Sequence, residues 1–482
     1  MLACGKRTLA LVCNDMTARA CGDNVEGQLG MGTTRDIRTL RVMELDAVQE
    51  SKTLMIAASN SFVASVDIKG QVWISGMFAE VVDKPDRYKM QILDMQIPKR
   101  IIYVAAGHMH CLALSEDMHV FAAGKNWSGQ LGVGDANVKY TKQLVPVASG
   151  PWDGHTSMIT CGACFSAILT DDGRIRTFGQ YSSKCLGVVR GAAPDISIFG
   201  YTSPNVCAPT IIAACDPNWH GSKLPPVEFL TASAQQVHVI ANGVLYAWGQ
   251  NCCGQLGLGR NFEDVRFPKK VGGEDVFGSK VRLVAANEHH TLVLTENRDL
   301  WAYGNCEQGR LGLDRHENCK FVTSPQMLEI GFFDSSRIAC IAAGKGHSAV
   351  LTEDGNLYTW GQGRLNEWRS VVPSALGYAK LINFQPVPRL VEHRMHATRS
   401  SGEQMKYGIY SKLPLQHIIA FLMGTHKRLG SSTQKRCLYL TLIRYDEFLL
   451  QLIVEQTSCD ARVHKTYAKF PALRKMMGDT SL

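Results

Sequence analysis

The sequence predicts an all-β protein, a seven-bladed β-propeller, with a small α-helical appendage at its C-terminal end. Two observations support this. A glycine that ends a short apolar strand recurs seven times, and a loop of the type Asn-x-x-Gly-Gln-Leu-Gly follows several of the copies. Repeats of this length each encode one supersecondary unit that must stack on its neighbours to bury its apolar face. Four-stranded sheets placed radially around an axis satisfy that need and leave only short edges.

The recurring glycine sets the phase of the repeats. It falls at Gly22, Gly76, Gly124, Gly179, Gly249, Gly304 and Gly361. In six copies the residue 14 positions earlier opens the preceding strand, and these residues are Thr8, Phe62, His110, Phe165, His290 and His347. Apolar alternation with an Asp-Gly turn between the two strands, as at Asp354-Gly355, predicts a β-hairpin in each unit.

Two units depart from the pattern. The fifth is expected to be two residues shorter, with Asn242-Gly243 as its turn, and the second lacks the glycine loop but keeps its hairpin. Small residues begin most units, as at Ala3, Ala57, Ala105, Ala285 and Ala342. We expect these residues on inner strands that are crowded near the axis.

Two further segments carry expectations about the ring. Residues 385–391 follow the last hairpin, and we expect them to complete the ring beside the N-terminal strands. The longest insertion, residues 180–228, separates the fourth and fifth units and is rich in proline. Long loops of this kind are binding elements or disordered, and the sequence leaves both readings open.

Composition limits the functional classes. The chain has 482 residues with 45% hydrophobic residues, and no run of about 18 apolar residues that would predict a membrane span. No secretory signal is evident at the N-terminus, so the 16 cysteines are expected to be reduced thiols, and the location cytoplasmic, nuclear or both.

The chain divides into two predicted domains by pattern and charge. Residues 1–393 hold the repeats, and residues 394–482 form a basic, mainly helical tail that begins its amphipathic pattern near Leu413. The tail has 14 Lys+Arg and 6 Asp+Glu, a net charge of +8, which equals the net charge of the whole chain. A basic tail favours nucleosomes or another acidic surface as a contact, and a solvated helical face is the alternative.

The repeat units resemble those of the regulator of chromosome condensation family. Ala342-Ala343-Gly344 with His347, then Leu357-Tyr358-Thr359-Trp360-Gly361, and the loop from Asn251 to Gly259 carry the resemblance. It covers residues 1 to about 393 and implies a seven-bladed propeller. The family's founding member is a guanine-nucleotide exchange factor for the GTPase Ran that also docks on nucleosomes, and other members are interaction modules.

The resemblance also nominates partner-binding residues in the turns that follow the first strand of each unit. They are Arg7, Asn60, His108, His110, Gln235, Glu288, His290, Lys345 and His347, with Lys6 and Gln236 beside them. Only Glu288 is acidic among them, whereas the exchange factor presents acids to a basic GTPase. This departure argues against exchange on Ran but not against the fold.

Covalent chemistry is not indicated anywhere in the sequence. There is no G-x-x-x-x-G-K-[ST] loop, and the three histidines at one repeat position favour a structural role in which each bonds the backbone of a neighbouring blade. Cys161 and Cys164 form a lone C-x-x-C, which is short of the four ligands of a structural zinc site. We expect buried thiols there, and free thiols at Cys252 and Cys253. The sequence therefore predicts no catalytic residues, metal, cofactor or small-molecule substrate.

The function predicted from the sequence is a non-catalytic propeller scaffold for protein–protein interaction. The alternative is a guanine-nucleotide exchange factor for a Ran-like or other small GTPase, associated with chromatin. An exchange factor needs no nucleophile, because it works by differential affinity for the nucleotide-free state of its partner.

Overall fold

A computed structural model describes the protein over most of residues 1–391. The gaps are residues 14, 44–51, 79–87, 96–98, 151, 182–183, 190–195, 199–200, 204, 216–219, 260–261, 273–275, 314–319, 334–335, 363–375 and 379–383, and residues 392–482 lie beyond the described part. The predicted helical tail therefore lies outside the described residues.

Seven antiparallel sheets of four strands form the blades of a propeller, which confirms the predicted fold class. Within each blade the strands follow one another in chain order from the axis outward. The first three blades comprise β1 (Leu2–Cys4), β2 (Thr8–Val12), β3 (Ala18–Gly22) and β4 (Ile37–Val42); β5 (Thr53–Ala58), β6 (Phe62–Asp67), β7 (Val72–Gly76) and β8 (Gln91–Ile92); and β9 (Ile101–Ala106), β10 (His110–Ser115), β11 (Val120–Lys125) and β12 (Tyr140–Pro146).

The remaining blades repeat this plan, with one addition. They comprise β13 (Thr156–Cys161), β14 (Phe165–Thr170), β15 (Ile175–Gln180) and β18 (Asn205–Ile211); β19 (Val227–Ser233), β20 (Gln236–Ala241), β21 (Val244–Gly249) and β22 (Val265–Lys270); β23 (Val281–Ala286), β24 (His290–Thr295), β25 (Leu300–Asn305) and β26 (Phe321–Met327); and β27 (Ile338–Ala343), β28 (His347–Thr352), β29 (Leu357–Gln362) and β30 (Phe384–Leu390). A separate hairpin, β16 (Ile196–Ile198) and β17 (Tyr201–Ser203), lies within the proline-rich insertion. Within the described residues, short 3₁₀ segments occur at Ala213–Cys215, Glu307–Gly309 and Ile330–Phe333.

The recurring glycine pairs with the residue that opens the second strand. Thr8 opposes Gly22, His110 opposes Gly124, and His347 opposes Gly361, each 14 residues apart as predicted. Gly304 has φ +112°, and a Cβ there would fall on the carbonyl oxygen of His289. Only glycine fits this position, because it tolerates the positive φ and the close backbone approach.

The fifth blade corrects one sequence-based expectation. Gln236 opposes Gly249, so the offset is 13 residues and the unit is one residue shorter, not two. The expected Asn242-Gly243 turn is confirmed: Ala241 pairs with Val244, and both intervening residues have positive φ, 53° and 76°. A two-residue turn with both φ values positive matches the twist of the flanking strands.

The core lies between neighbouring blades. Each second strand is buried along its whole length, and the first strands of adjacent blades contact one another around the axis, as the small residues predicted. One core cluster joins the second and third blades through Phe62, Val104 and Leu144. Because each blade is too small to bury its own apolar faces, this packing between blades supplies the hydrophobic stabilisation.

The end of the segment 385–391 lies beside the N-terminal strands, as the sequence predicted, because Val391 packs with Leu2 and Leu9. Strand β30 pairs with β29 of its own unit, so residues 385–391 do not pair with the N-terminal strands. The first blade has its own fourth strand, β4, and needs none from the far end of the chain. The ring therefore closes without strand pairing, and Leu2, Leu9 and Leu40 pack with Leu351 and Val391 in one buried cluster.

Within the described ranges, no helix is both long enough and apolar enough to cross a membrane.

Candidate functional site

The seven turns between the first and second strands gather around the axis on one face of the propeller. We call these segments the turn ring. Its members are residues 5–7, 59–61, 107–109, 162–164, 234–235, 287–289 and 344–346. The loops that follow each third strand open on the same face, because the third strand runs in the same direction as the first.

Contacts between neighbouring turns run around the whole ring. The Ser61 hydroxyl donates to the His108 carbonyl at 2.8 Å, the His108 N–H to the Ala163 carbonyl at 3.2 Å, and the Ala163 N–H to the Ala234 carbonyl at 2.7 Å. These bonds join the turns of the second to fifth blades. The backbone donors of His108 and Ala163 are thus satisfied by the neighbouring turn.

The second half of the ring is linked in the same way. Gln236 Nε2 donates to the Asn287 carbonyl at 2.5 Å, and the Lys345 N–H donates to the Lys6 carbonyl at 3.2 Å. Asn287 Nδ2 reaches the Ala343 carbonyl at 3.1 Å. The turn of the first blade lies against Ser59 of the second, so closely that a Cβ at Gly5 would overlap the Ser59 carbonyl. The ring is therefore a closed and rigid frame.

Two polar residues explain the loop sequence Asn-x-x-Gly-Gln-Leu-Gly. In the fifth blade Asn251 Oδ1 accepts the Leu256 N–H at 3.1 Å, and Gln255 Oε1 accepts the Cys253 N–H at 2.8 Å. The first and third blades repeat both bonds, with Asn24 and Gln28 and with Asn126 and Gln130. All six side chains are buried, and each satisfies a backbone donor of a tight loop that has no ladder partner.

Each loop also fastens its blade to the next one. The Gln130 carbonyl accepts the Ser166 hydroxyl at 2.8 Å, and the Gln255 carbonyl accepts the Thr291 hydroxyl at 2.9 Å. In the sixth blade, Arg310 occupies the glutamine position, and its carbonyl accepts the Ser348 hydroxyl at 2.8 Å. The residues that recur in each repeat thus serve mainly to make contacts between neighbouring blades.

The three repeated histidines take part in these contacts between blades and are not on the surface. His110, His290 and His347 have 0%, 0% and 2% of their surface exposed. His110 Nε2 lies 3.0 Å from Ser166 Oγ, and His290 Nε2 lies 2.8 Å from Ser348 Oγ. Each serine donates its own proton to a loop carbonyl, so it accepts the imidazole N–H of the preceding blade.

Burial holds these histidines in the neutral form. It lowers the pKa of His110 to about 3 and of His347 to about 4, although bonds to Phe165 and Thr8 oppose the shift. Burial likewise lowers the pKa of His290, helped by the nearby Arg310 charge. A surface partner cannot contact these three side chains, so we exclude them from the candidate binding surface and assign them to the frame.

The other nominated residues lie on the turn ring with accessible side chains. His108 is exposed, and Arg7, Asn60, Gln235, Glu288 and Lys345 are half-buried. Burial lowers the pKa of His108, and the charge of Lys6 adds to this while that of Glu288 opposes it. Turns from three different blades therefore act on one another electrostatically across the ring.

Glu288 is the centre of the charged part of the ring. Lys345 Nζ lies 2.9 Å from Glu288 Oε2, and His289 Nε2 lies 3.5 Å from the same oxygen. Burial opposes ionisation of Glu288, but the hydrogen bond and charge of Lys345 outweigh it and lower the pKa of the carboxyl. On the first blade, Arg7 lies 4.0 Å from Asp23. The turns of the sixth, seventh and first blades thus present a mixed-charge surface.

Sequence reasoning missed the residues at the tips of the loops. Val25, Trp127 and Cys252 occupy the same loop position in the first, third and fifth blades, and all three are exposed, Val25 to 59% and Trp127 to 47%. Lys125 Nζ lies 4.0 Å from the Trp127 ring centroid, a cation–π contact. A signal was present in the sequence: these positions differ among the first, third and fifth repeats, whereas the asparagine and glutamine of the same loops are identical in all three.

The cysteines of the C-x-x-C and of the loop are free thiols. Cys161 is buried in β13, whereas Cys164 is half-buried in the turn ring, and burial raises the pKa of both. In the part of the chain that the structure describes, no group of three or more His, Cys, Asp or Glu side chains could hold a metal ion.

The fold and the ring together define a repeat propeller whose blades are locked to one another by their loops. Residues 242–294 and 338–366 match two family models, each described as a regulator of chromosome condensation (RCC1) repeat. The family models thus identify RCC1 repeats in two segments of this propeller, as the resemblance implied.

Known proteins agree with this assignment. Human E3 ubiquitin-protein ligase HERC2 is 28% identical over 57% of this chain, and ultraviolet-B receptor UVR8 of Arabidopsis thaliana is 27% identical over 63%. The matched regions span 5% of the ligase and 60% of the receptor, less than two thirds of either. Among solved structures, Prp20p of Saccharomyces cerevisiae has a TM-score of 0.62 at 20% identity, covering 77% of this chain and 85% of its own. Human WBSCR16 has a TM-score of 0.59 at 20% identity, covering 74% and 85%.

Proposed function

We propose that this propeller is a non-catalytic scaffold that binds a protein partner through the turn ring and the loop tips around it. The observation that carries the proposal is the division of roles within each repeat. Buried residues such as Asn126, Gln130 and His110 form the frame, while Trp127 and His108 are exposed beside them. A rigid frame that holds variable side chains is the usual arrangement of a binding surface, because little conformational entropy is lost on association.

The composition of this face suits recognition of another protein. Trp127 supplies exposed aromatic area, and aromatic residues are enriched at interfaces. Glu288, Lys345 and Lys6 supply charge near the axis, where complementary charge sets partner choice and the rate of encounter. The partner is therefore expected to present an apolar contact for Trp127 and charged groups opposite Glu288 and Lys345.

Capture of partners by the full-length chain tests this proposal. We call the face of the propeller that carries the turn ring and the loop tips the turn face. A turn-face variant, Trp127→Ala with Lys345→Glu, is compared with an opposite-face control, Lys99→Ala with His155→Ala. The control side chains pair with Asp117 and Asp171 away from the ring. We expect a partner that the native chain and the control retain and the turn-face variant loses. Loss with the control alone would place the interface on the opposite face and reject the proposal.

A second candidate is a guanine-nucleotide exchange factor for a small GTPase. The supporting observation is the fold likeness to Prp20p, whose structural description names binding to Gsp1p and histones. The same face would then loosen the nucleotide by binding the nucleotide-free GTPase more tightly. GDP release from a panel of small GTPases that includes Ran tests this candidate, with Glu288→Ala expected to weaken any acceleration. No acceleration on any panel member would leave only the scaffold function.

A third contact is proposed for residues 394–482, which carry the net charge of +8. Lysine and arginine contacts to phosphate make nucleosome binding fall steeply with salt. A salt titration of the full-length chain and of a chain ending at His393 tests this, and equal binding by both would reject it. Retention on nucleosomes would also support a nuclear location, in addition to or instead of a cytoplasmic one.

A further inference from the structure

The loop tip of the fifth blade carries two adjacent cysteines. Cys252 and Cys253 take the two central positions of a turn that the Gly254 N–H closes on the Asn251 carbonyl at 3.0 Å. Their Sγ atoms lie 3.7 Å apart, with Cys252 exposed and Cys253 half-buried. The turn therefore places two thiols side by side on the turn face.

Gln255 holds both thiols against the sixth blade. Its Oε1 accepts the Cys253 N–H at 2.8 Å, while its Nε2 donates to the Glu288 carbonyl at 3.2 Å and lies 3.9 Å from Cys252 Sγ. Because the Gln255 side chain is buried, the pair is fixed by the frame and does not depend on a free loop.

A histidine from the next blade faces the pair. His289 Nδ1 lies 3.8 Å from Cys253 Sγ, and its Nε2 faces Glu288 Oε2 at 3.5 Å. An Nε2–H directed at the carboxylate leaves the Nδ1 lone pair facing the thiol, since the partner of one ring nitrogen sets the role of the other. Burial lowers the pKa of His289, which favours this neutral imidazole. Burial and the neighbouring Cys252 raise the pKa of Cys253 to about 12, so its reaction requires a proton acceptor.

We propose that Cys252 and Cys253 form a vicinal dithiol site that chelates a trivalent arsenical or a like thiophilic ligand through one atom, with His289 positioned to accept the Cys253 proton. Bonds from sulfur to a soft centre such as zinc are about 2.3 Å long, so two sulfurs 3.7 Å apart can both bond one centre that lies between them. Within the described residues no third donor completes a metal cage. A trivalent arsenic atom that already carries one organic group needs only two further bonds, which the two sulfurs can supply.

The reaction with an aryl arsine oxide is balanced without an oxidant. Each sulfur forms one bond to arsenic, the arsenic–oxygen bond breaks, and both thiol protons leave with the oxygen as water. Arsenic stays trivalent and the sulfurs stay at the thiolate level. Proton transfer from Cys253 to His289 Nδ1 accompanies formation of one of the two arsenic–sulfur bonds.

Intact mass spectrometry of the full-length chain with phenylarsine oxide tests the proposal. We expect one phenylarsenic group to be retained through a monothiol wash and released by dithiothreitol. Cys252→Ser and Cys253→Ser should each abolish retention, and Cys207→Ser, a half-buried thiol on another blade, should keep it. No retained group on the native chain, or retention by either serine variant at the loop, would overturn the proposal.

The role of His289 is tested by the rate at which the arsenical adduct forms and not by the final amount of adduct. His289→Gln should leave the final adduct and the thermal unfolding temperature unchanged while slowing adduct formation near neutral pH by about 100-fold, the low end of what a positioned base contributes. An unchanged rate would show that His289 does not act on the thiol.

Discussion

The two halves of the turn ring share one backbone frame but carry different side chains. The turns of the sixth, seventh and first blades bear Glu288, His289, Lys345, Lys6 and Arg7. The turns of the second, fourth and fifth blades bear neutral residues, namely Asn60, Ala163, Cys164, Ala234 and Gln235. The turn of the third blade belongs with them, because the lowered pKa of His108 favours its neutral form. Since the bonds between neighbouring turns continue around both halves, the difference lies in the exposed side chains alone. It follows that mutations in the frame should disturb both halves, whereas mutations of the ring surface should change recognition without changing the fold.

The largest expected effect on stability comes from disrupting the backbone frame beside the charged half of the ring. Gly304→Ala forces a side chain into φ +112° and onto the His289 carbonyl, so we expect a loss of roughly 2–4 kcal/mol in the free energy of unfolding. Chemical denaturation measures this. Gly278→Ala is the matched control, because Gly278 also has positive φ, +60°, but no atom lies within 4 Å of its Cβ position. Equal losses in the two variants would show that the close approach contributes nothing.

The second-largest effect on stability is expected at the buried histidines of the frame. His290→Ala removes the imidazole N–H that the Ser348 hydroxyl accepts and leaves a cavity between the sixth and seventh blades. We expect a loss of about 2–3 kcal/mol. His108→Ala, two residues before the buried His110 and exposed, should change stability by less than about 0.5 kcal/mol. A large loss with His108→Ala would contradict the assignment of the two positions to surface and frame.

The buried histidines also predict the pH dependence of stability. Their folded pKa values lie below the unfolded value of about 6.5, so their contribution is complete above that pH and is lost as pH falls toward about 4 for His347 and about 3 for His110. Each should contribute at most about 1.4 kcal/mol per pH unit in this window. Denaturation at pH 7 and pH 5 should show a smaller loss for His110→Gln than for the native chain, and an equal loss would reject this cause.

The smallest effect on stability is expected at the charged surface itself. Lys345 and Glu288 form a half-exposed pair, so Lys345→Met should cost less than about 1 kcal/mol, because solvent screens the interaction. The same change should weaken partner binding more than Asn60→Ala on the neutral half does. Equal effects of both variants on binding would remove the functional distinction between the halves.

Much of the fold was predictable because the repeat constrains it. The spacing of Thr8 from Gly22 gave the register of each hairpin, and Asn242-Gly243 gave a turn with positive φ. The path of residues 385–391 was not predictable in the same way, since an apolar strand can pair with its own unit or with another, and only backbone pairing distinguishes these. The one-residue offset at Gln236 escaped notice because no histidine or aromatic residue marks that position.

The candidate site was predictable only in part. The turns were located correctly, and the repeat position of His110 favoured a structural role, but its complete burial beside the exposed His108 is seen only in three dimensions. Cys252 next to Cys253 was visible as a pair, yet the approach of His289 from the next blade depends on the packing of two sheets. Contacts between blades join residues that are distant in sequence, and a single sequence holds no record of which ones meet.

Chemical cross-linking of the native chain to a captured partner, read by mass spectrometry, tests the central claim most directly. We predict cross-links from Lys6, Lys125 and Lys345 on the turn face, and none from Lys99 on the opposite side. Cross-links confined to Lys99 and its surroundings, with the turn-face lysines unreacted, would contradict the assignment of this face as the binding surface.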